Sequence, residues 1–278
     1  MKLTPILGGV WMGKWIEVEQ DVQVYVEDIG QGEPVVFIHG WPLSNKSFEG
    51  QISALAENGY RYIGIDLRGL GKSDRPWSEY NYDMAASDVD KVVTELELTN
   101  FVLGGFSMGG PISIRYITNY GADKVKHLLL MGAAAPRFTQ AEGFEFGMKP
   151  EEVDDIIANI EKDRPGFIEE FSGMFFAKDH SEPFMKWFQS LALESSAHGT
   201  IGYAKALRDE ELRKETKALS LPVTLFHGAK DEICPVELSH WMNDTIANST
   251  LVTFEESGHG MNVDEKDKFN EELLKLLK

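Results

Sequence analysis

Asn100-Phe-Val-Leu-Gly104-Gly105-Phe106-Ser107-Met108-Gly109-Gly110-Pro111-Ile-Ser-Ile-Arg-Tyr-Ile-Thr118 decides the fold. An apolar run reads as a strand, a glycine-flanked serine as a tight turn, and the following segment as a helix. Such a turn forces the serine into strained backbone geometry, so its neighbours must be small. The hydroxyl is then raised above a sheet edge at a helix N-terminus, where N–H groups and the helix dipole favour a developing anion.

Two further stretches complete the pattern. Pro222-Val-Thr-Leu-Phe-His-Gly228 is a short apolar strand with Asp231 just beyond it. Thr250-Leu-Val-Thr-Phe254 is another, followed by Glu255-Glu-Ser-Gly-His259-Gly260. The order serine, aspartate, histidine differs from that of the two best-known serine protease folds. Each residue follows a strand, so three loops can converge on one crevice at the strands' carboxyl ends. In that arrangement His259 takes the proton from Ser107 and returns it to the leaving group, and Asp231 holds the imidazole. The oxyanion needs two donors. The Met108 N–H follows the nucleophile, and the loop His39-Gly40-Trp41-Pro42 after the strand Pro34–Ile38 supplies the Trp41 N–H.

Each of these residues also has a plainer reading. A serine between glycines is often only a turn, and an aspartate after a strand is often a helix cap. Glu232 rivals Asp231 as the acid. Asp264 is a weaker rival, better read as the cap of the last helix. His39 and His227 read as loop anchors. Cys234, the sole cysteine, reads as a small packed residue rather than a second nucleophile, and it excludes an internal disulfide.

The 278 residues suit one α/β domain with an insertion. A formal net charge of −18 argues against nucleic acid and anionic membrane surfaces as partners. No metal site is expected. No apolar run approaches a membrane span, and residues 1–11 lack the features of a signal peptide, so a cytoplasmic protein is expected. Strand patterns at 15–19 and 22–26 form a hairpin. Strands at 34–38, 60–65 and 125–131 alternate with helices near 47–58 and at 82–97, implying a mostly parallel sheet with helices on both faces. From 136 to 219 strand patterns give way to helical segments rich in Phe, Met and Trp. Residues 1–135 and 220–278 are therefore expected to form the core, and 136–219 a helical cap over the site.

With these motifs in hand, the chain resembles the α/β-hydrolase superfamily. It is most similar to the bacterial cofactor-free haloperoxidase (perhydrolase) and aryl esterase group. The resemblance rests on His39–Pro42, Asp66-Leu-Arg-Gly-Leu-Gly-Lys-Ser73, Gly104–Gly110 and Leu129-Leu-Met-Gly-Ala133. The chain departs from that group at Pro111, Phe48 and the segment 150–212. The resemblance implies hydrolysis of small carboxylic esters through an acyl-serine, without a cofactor, and with perhydrolysis by hydrogen peroxide as a side reaction. Pro42, beside the oxyanion donor, is expected to favour peroxide as the second nucleophile. A carbon–carbon bond hydrolase of the same fold, using Arg115 or Arg137 to bind a charged substrate, is an alternative. A hydrolase-fold ligand receptor is another.

Overall fold

The computed structural model describes residues 13–120 and 122–278; the expectation for residues 1–11 lies outside them. The edge hairpin pairs β1 (Lys14–Glu19) with β2 (Val22–Gly30) across Asp21, which has a positive φ. Next come β3 (Glu33–Ile38), α1 (Glu49–Glu57), β4 (Tyr60–Ile65), α2 (Tyr82–Glu95), β5 (Phe101–Phe106), α3 (Gly109–Tyr120) and β6 (Val125–Met131). The expected helix near 47–58 begins as a 3-10 turn, Asn45–Phe48, before α1.

Between β6 and β7 (Val223–Gly228) lie α4 (Pro150–Gly173), α5 (Glu182–Glu194), α6 (Ala197–Asp209) and α7 (Arg213–Lys217). The chain closes with α8 (Glu237–Thr245), β8 (Ser249–Phe254), α9 (Met261–Asp264) and α10 (Lys266–Leu276).

The eight strands form one sheet in the order β1-β2-β4-β3-β5-β6-β7-β8. β1 and β2 are antiparallel to their neighbours, and the pairings from β4 through β8 are parallel. The central strands explain why: every residue of β5 is buried, as a strand covered on both faces requires. The edge strand β1 shows exposed and buried residues in near alternation instead. Helices α1 and α10 pack together on one side, and α2, α3, α7 and α8 form a contiguous layer. Strand order reverses between β3 and β5, since β4 lies to one side of β3 and β5 to the other. Loops leaving these two strands diverge there and open a crevice.

Local chemistry sets the helix limits. Asn81 caps α2 by accepting from the Met84 N–H, and Ser181 and Ser196 cap α5 and α6 in the same way. Within α4, Pro165 removes a ladder donor and Asp163 leaves helical geometry, so the helix kinks. Asp264 departs from expectation. Its carboxylate does not cap α10, whose N-cap is Glu265 without a side-chain bond. It accepts instead from the Ala177 and Gly258 N–H groups and contacts His180.

The junction of β5 and α3 tolerates no extra carbon. A Cβ on Gly109 would lie 2.2 Å from the Ile38 carbonyl oxygen, and one on Gly105 would lie 2.4 Å from the Gly109 carbonyl oxygen. Gly109→Ala is therefore expected to cost about 2 kcal/mol or more of stability, read as a lowered midpoint in denaturant unfolding.

Candidate active site

Ser107 sits at the turn between β5 and α3 with φ +53°, a conformation that costs an L-residue about 1–3 kcal/mol. Hydrogen bonds over-determine it. The Ser107 N–H donates to the Met131 carbonyl (2.8 Å), and the Ser107 carbonyl accepts from Gly110 (2.9 Å) and Ala134 (3.0 Å). The hydroxyl stands at the mouth of a small cavity.

The loop after β3 lies against this turn, where a Cβ on Gly40 would be 2.8 Å from Ser107 Cβ. His39 anchors the loop: its Nδ1–H donates to the Gly40 carbonyl (2.9 Å) and its Nε2 accepts from the Leu67 N–H (3.0 Å). Burial lowers the pKa of His39, opposed in part by Asp66. Asp66, also buried, accepts from the Asn45 N–H and side chain and the Lys72 N–H. Trp41 and Met108 are buried, and neither backbone N–H has a partner among the described residues. Buried N–H groups are almost always paired, so this pair stands out as a candidate site for an anion.

Asp231 and His259 meet on the other side of Ser107. His259 Nδ1 lies 2.7 Å from Asp231 Oδ2. Asp231 Oδ1 accepts from the Ile233 and Cys234 N–H groups at 2.9 and 2.8 Å. Burial alone would raise the Asp231 pKa. His259 and His227 overcome that and hold it well below the usual carboxylate range. The rival Glu232 is exposed. The His259 ring packs between Phe106 and Phe175, with centroids 4.9 and 4.8 Å away. Among the described hydrogen bonds, none engages His259 Nε2, while the Ser107 side chain meets the buried Cys234 thiol within hydrogen-bonding reach.

Segment 175–180, which follows α4, clamps the histidine loop. The Gly260 N–H donates to the Phe175 carbonyl (2.8 Å), and Asp264 joins Gly258 to Ala177 and His180. The α6 region grips the β3 loop: the Trp41 indole N–H donates to the Thr200 carbonyl (2.8 Å), and the Ser195 hydroxyl to the Pro42 carbonyl (2.8 Å). These latches were not legible in the sequence. Asp264 carried a local reading as a helix cap, and Thr200 and Ser195 carried none.

The cavity at Ser107 has a free volume of about 20 Å³ and is lined by Trp41, Phe138, Met148, Val153, Ile156, Phe171, Ala204, Leu207 and Ile233. Apart from Ser107 the lining carries no ionisable group. Of the aromatic residues between β6 and β7, Phe138 and Phe171 face it, and Phe175 backs the histidine. Arg115 is held by Asp83, Glu210 and Glu215, and Arg137 by Thr139, Arg208 and Glu211; neither reaches the cavity. The Cys234 thiol is fully buried beside Ser107. Burial, reinforced by Asp231, pushes its pKa well up, which leaves it a protonated, unreactive group. Among the described residues no helix is long and apolar enough to cross a membrane.

Residues 33–266 match the family model described as alpha/beta hydrolase fold. The chain is similar to a superfamily protein of Bacillus subtilis (strain 168), 46% identical, with 93% of this chain and 97% of that one covered. Among solved structures it is similar to an esterase from Exiguobacterium antarcticum, with TM-score 0.94, 49% identity, and 95% and 99% of the two chains covered. A bromoperoxidase from Bacillus anthracis gives TM-score 0.92 and 36% identity, with 96% and 99% covered.

The depressed Asp231 pKa has a stability consequence. A carboxyl held below its unfolded value stabilises the native state above about pH 4, and that contribution is lost as pH falls toward the folded value. Unfolding free energy is expected to fall below about pH 4, and less steeply in Asp231→Asn. Denaturant unfolding from pH 3 to 6 measures both slopes.

Proposed function

Because this chain belongs to the α/β-hydrolase fold family, we propose that it is a serine hydrolase of small carboxylic esters, with Ser107, Asp231 and His259 as its catalytic triad. The observation that supports this most directly is a strained serine lining a small apolar cavity, with two unpartnered amides at its turn and the next loop, and a buried Asp231–His259 pair packed on the adjacent Phe106. The similarity to an esterase at 49% identity supports the same reading.

In this mechanism Ser107 Oγ attacks the ester carbonyl as His259 Nε2 takes its proton. Asp231 stabilises the imidazolium, and the Trp41 and Met108 N–H groups bind the oxyanion. The intermediate collapses with cleavage of the C–O bond, and His259 protonates the departing alcohol. Water, deprotonated by His259, attacks the acyl-serine carbonyl and releases the acid. Hydrogen peroxide in place of that water releases a peracid. The peracid oxidises halide, RCO3H + X⁻ + H⁺ giving RCO2H + HOX, and the similarity to a bromoperoxidase supports this side reaction.

The cavity sets the substrate class. The cavity is small and its lining offers no counter-charge for an anionic acyl chain. The substrate is a neutral ester with a short acyl group. Residues 136–219 act as the cap, with Phe138, Met148, Val153, Ile156 and Phe171 closing the acyl end. A carbon–carbon hydrolase of charged diketones would need an arginine in the cavity, and both candidates are engaged elsewhere.

Pre-steady-state release of p-nitrophenol is expected to show a burst with the acetate ester and rates falling from acetate to butyrate to octanoate. Ser107→Ala should lower turnover at least about a thousandfold. A residual rate untouched by the substitution would remove ester hydrolysis as the function. Pro42→Leu should lower the ratio of perhydrolysis to hydrolysis, measured by peracid formation against acid release in the same assay; an unchanged ratio removes Pro42 from peroxide selection.

A further inference from the structure

A second histidine stands behind the acid. His227 closes β7, and its ring is fully buried. Nδ1 lies 2.6 Å from Ser239 Oγ on α8. Nε2 lies 2.8 Å from the Cys234 carbonyl oxygen and 3.3 Å from Asp231 Oδ2. A carbonyl only accepts, so the network assigns the proton to Nε2, which donates to the Cys234 carbonyl and faces Asp231 Oδ2 in a longer 3.3 Å contact. Nδ1 then accepts from the Ser239 hydroxyl.

An ionised carboxylate offers about four acceptor sites. Asp231 Oδ1 accepts from the Ile233 and Cys234 N–H groups, and Oδ2 faces both His259 Nδ1 at 2.7 Å and His227 Nε2 at 3.3 Å. The two imidazoles therefore share one oxygen. A donor on Oδ2 withdraws charge that the His259 imidazolium would otherwise use.

We propose that His227, oriented by Ser239, is a positioning residue that holds Asp231 Oδ2 toward His259 Nδ1. The chain of contacts runs Ser239, His227, Asp231, His259, so that α8 and the ends of β7 and β8 act as one unit. The ionisable groups facing it are Asp231 and Cys234 on the loop after β7 and His259 on the loop after β8. Cys234 stays protonated in its buried site, and α8 contributes the Ser239 hydroxyl. The inference rests on the acyl-serine reading, and the experiment keeps the two apart.

The test compares His227→Leu, His227→Gln and Ser239→Ala with wild type and Ser107→Ala. The readouts are kcat, KM and the pH profile of kcat/KM on p-nitrophenyl acetate. His227→Leu removes the donor; its kcat should fall about tenfold or more with little change in KM. With Oδ2 left to His259 alone, the imidazolium is better stabilised, so the acid limb should move to higher pH. His227→Gln carries an amide N–H near the position of Nε2 and should recover most of kcat and the wild-type limb. Ser239→Ala should shift the limb the same way by less. Equal impairment of the leucine and glutamine variants, or a wild-type acid limb in the leucine variant, overturns the proposal. If His227→Leu does not fold, an unmoved limb in Ser239→Ala overturns it. Ester turnover surviving in Ser107→Ala sinks the acyl-serine reading itself, whereas its loss without any change in the acid limb sinks only the role of His227.

Discussion

The left-handed backbone of Ser107 is the constraint around which the molecule is organised. It persists because β5 and α3 approach the β3 loop so closely that a Cβ at Gly109 would meet the Ile38 carbonyl. That approach requires β3 and β5 to be adjacent and parallel, as their register provides. It also requires α3 to begin immediately after the turn, which leaves the Met108 amide free at the helix N-terminus. Sheet order, helix start and the two unpartnered amides follow from one tight contact.

Buried carboxylates carry the rest of the architecture at the carboxyl ends of the strands. Asp66 gathers the loops after β3 and β4, Asp231 the loops after β7 and β8, and Asp264 the histidine loop and the segment after α4. An unpaired buried charge is costly, so each carboxylate fixes several donors at once. The geometry is thereby over-determined before substrate arrives, as electrostatic preorganisation demands. The same logic separates two histidines that look alike in sequence. His39 spends both ring nitrogens on a backbone carbonyl and a backbone amide, whereas His259 spends only Nδ1, on Asp231, and its Nε2 has no described partner.

The region between β6 and β7 divides its apolar residues between two tasks. Most pack on one another, as the contacts of Phe176 with Phe184 and Phe188 illustrate. Phe138, Phe171 and Met148 turn inward and line the cavity at Ser107. Helix α7, although it lies in the same stretch of sequence, packs on α3 and α8 in the layer against the sheet.

Residues whose role is local were legible in the chain itself. The glycine-flanked serine, the strand-then-acid and strand-then-histidine segments, and the alternation of strands and helices each depend on neighbours a few positions away, and the observed elements follow them closely. β6 matches its expected limits. Asp264 reads in sequence as a helix cap, His227 only as a loop anchor and Ser195 not at all, because their partners lie far away in sequence or on another element. Asp264 reaches Ala177, His227 reaches Ser239, and Ser195 reaches Pro42. Hydrophobic periodicity shows that a helix face is buried, but not which of its aromatics meets the cavity and which meets its neighbour. The sequence determined the fold class and the reactive residue types because backbone sterics and chain order constrain them locally. The volume of the cavity, the second partner of Asp231 and the latches over His259 were decided by tertiary packing, where close fit between distant side chains selects among faces that the sequence leaves equivalent.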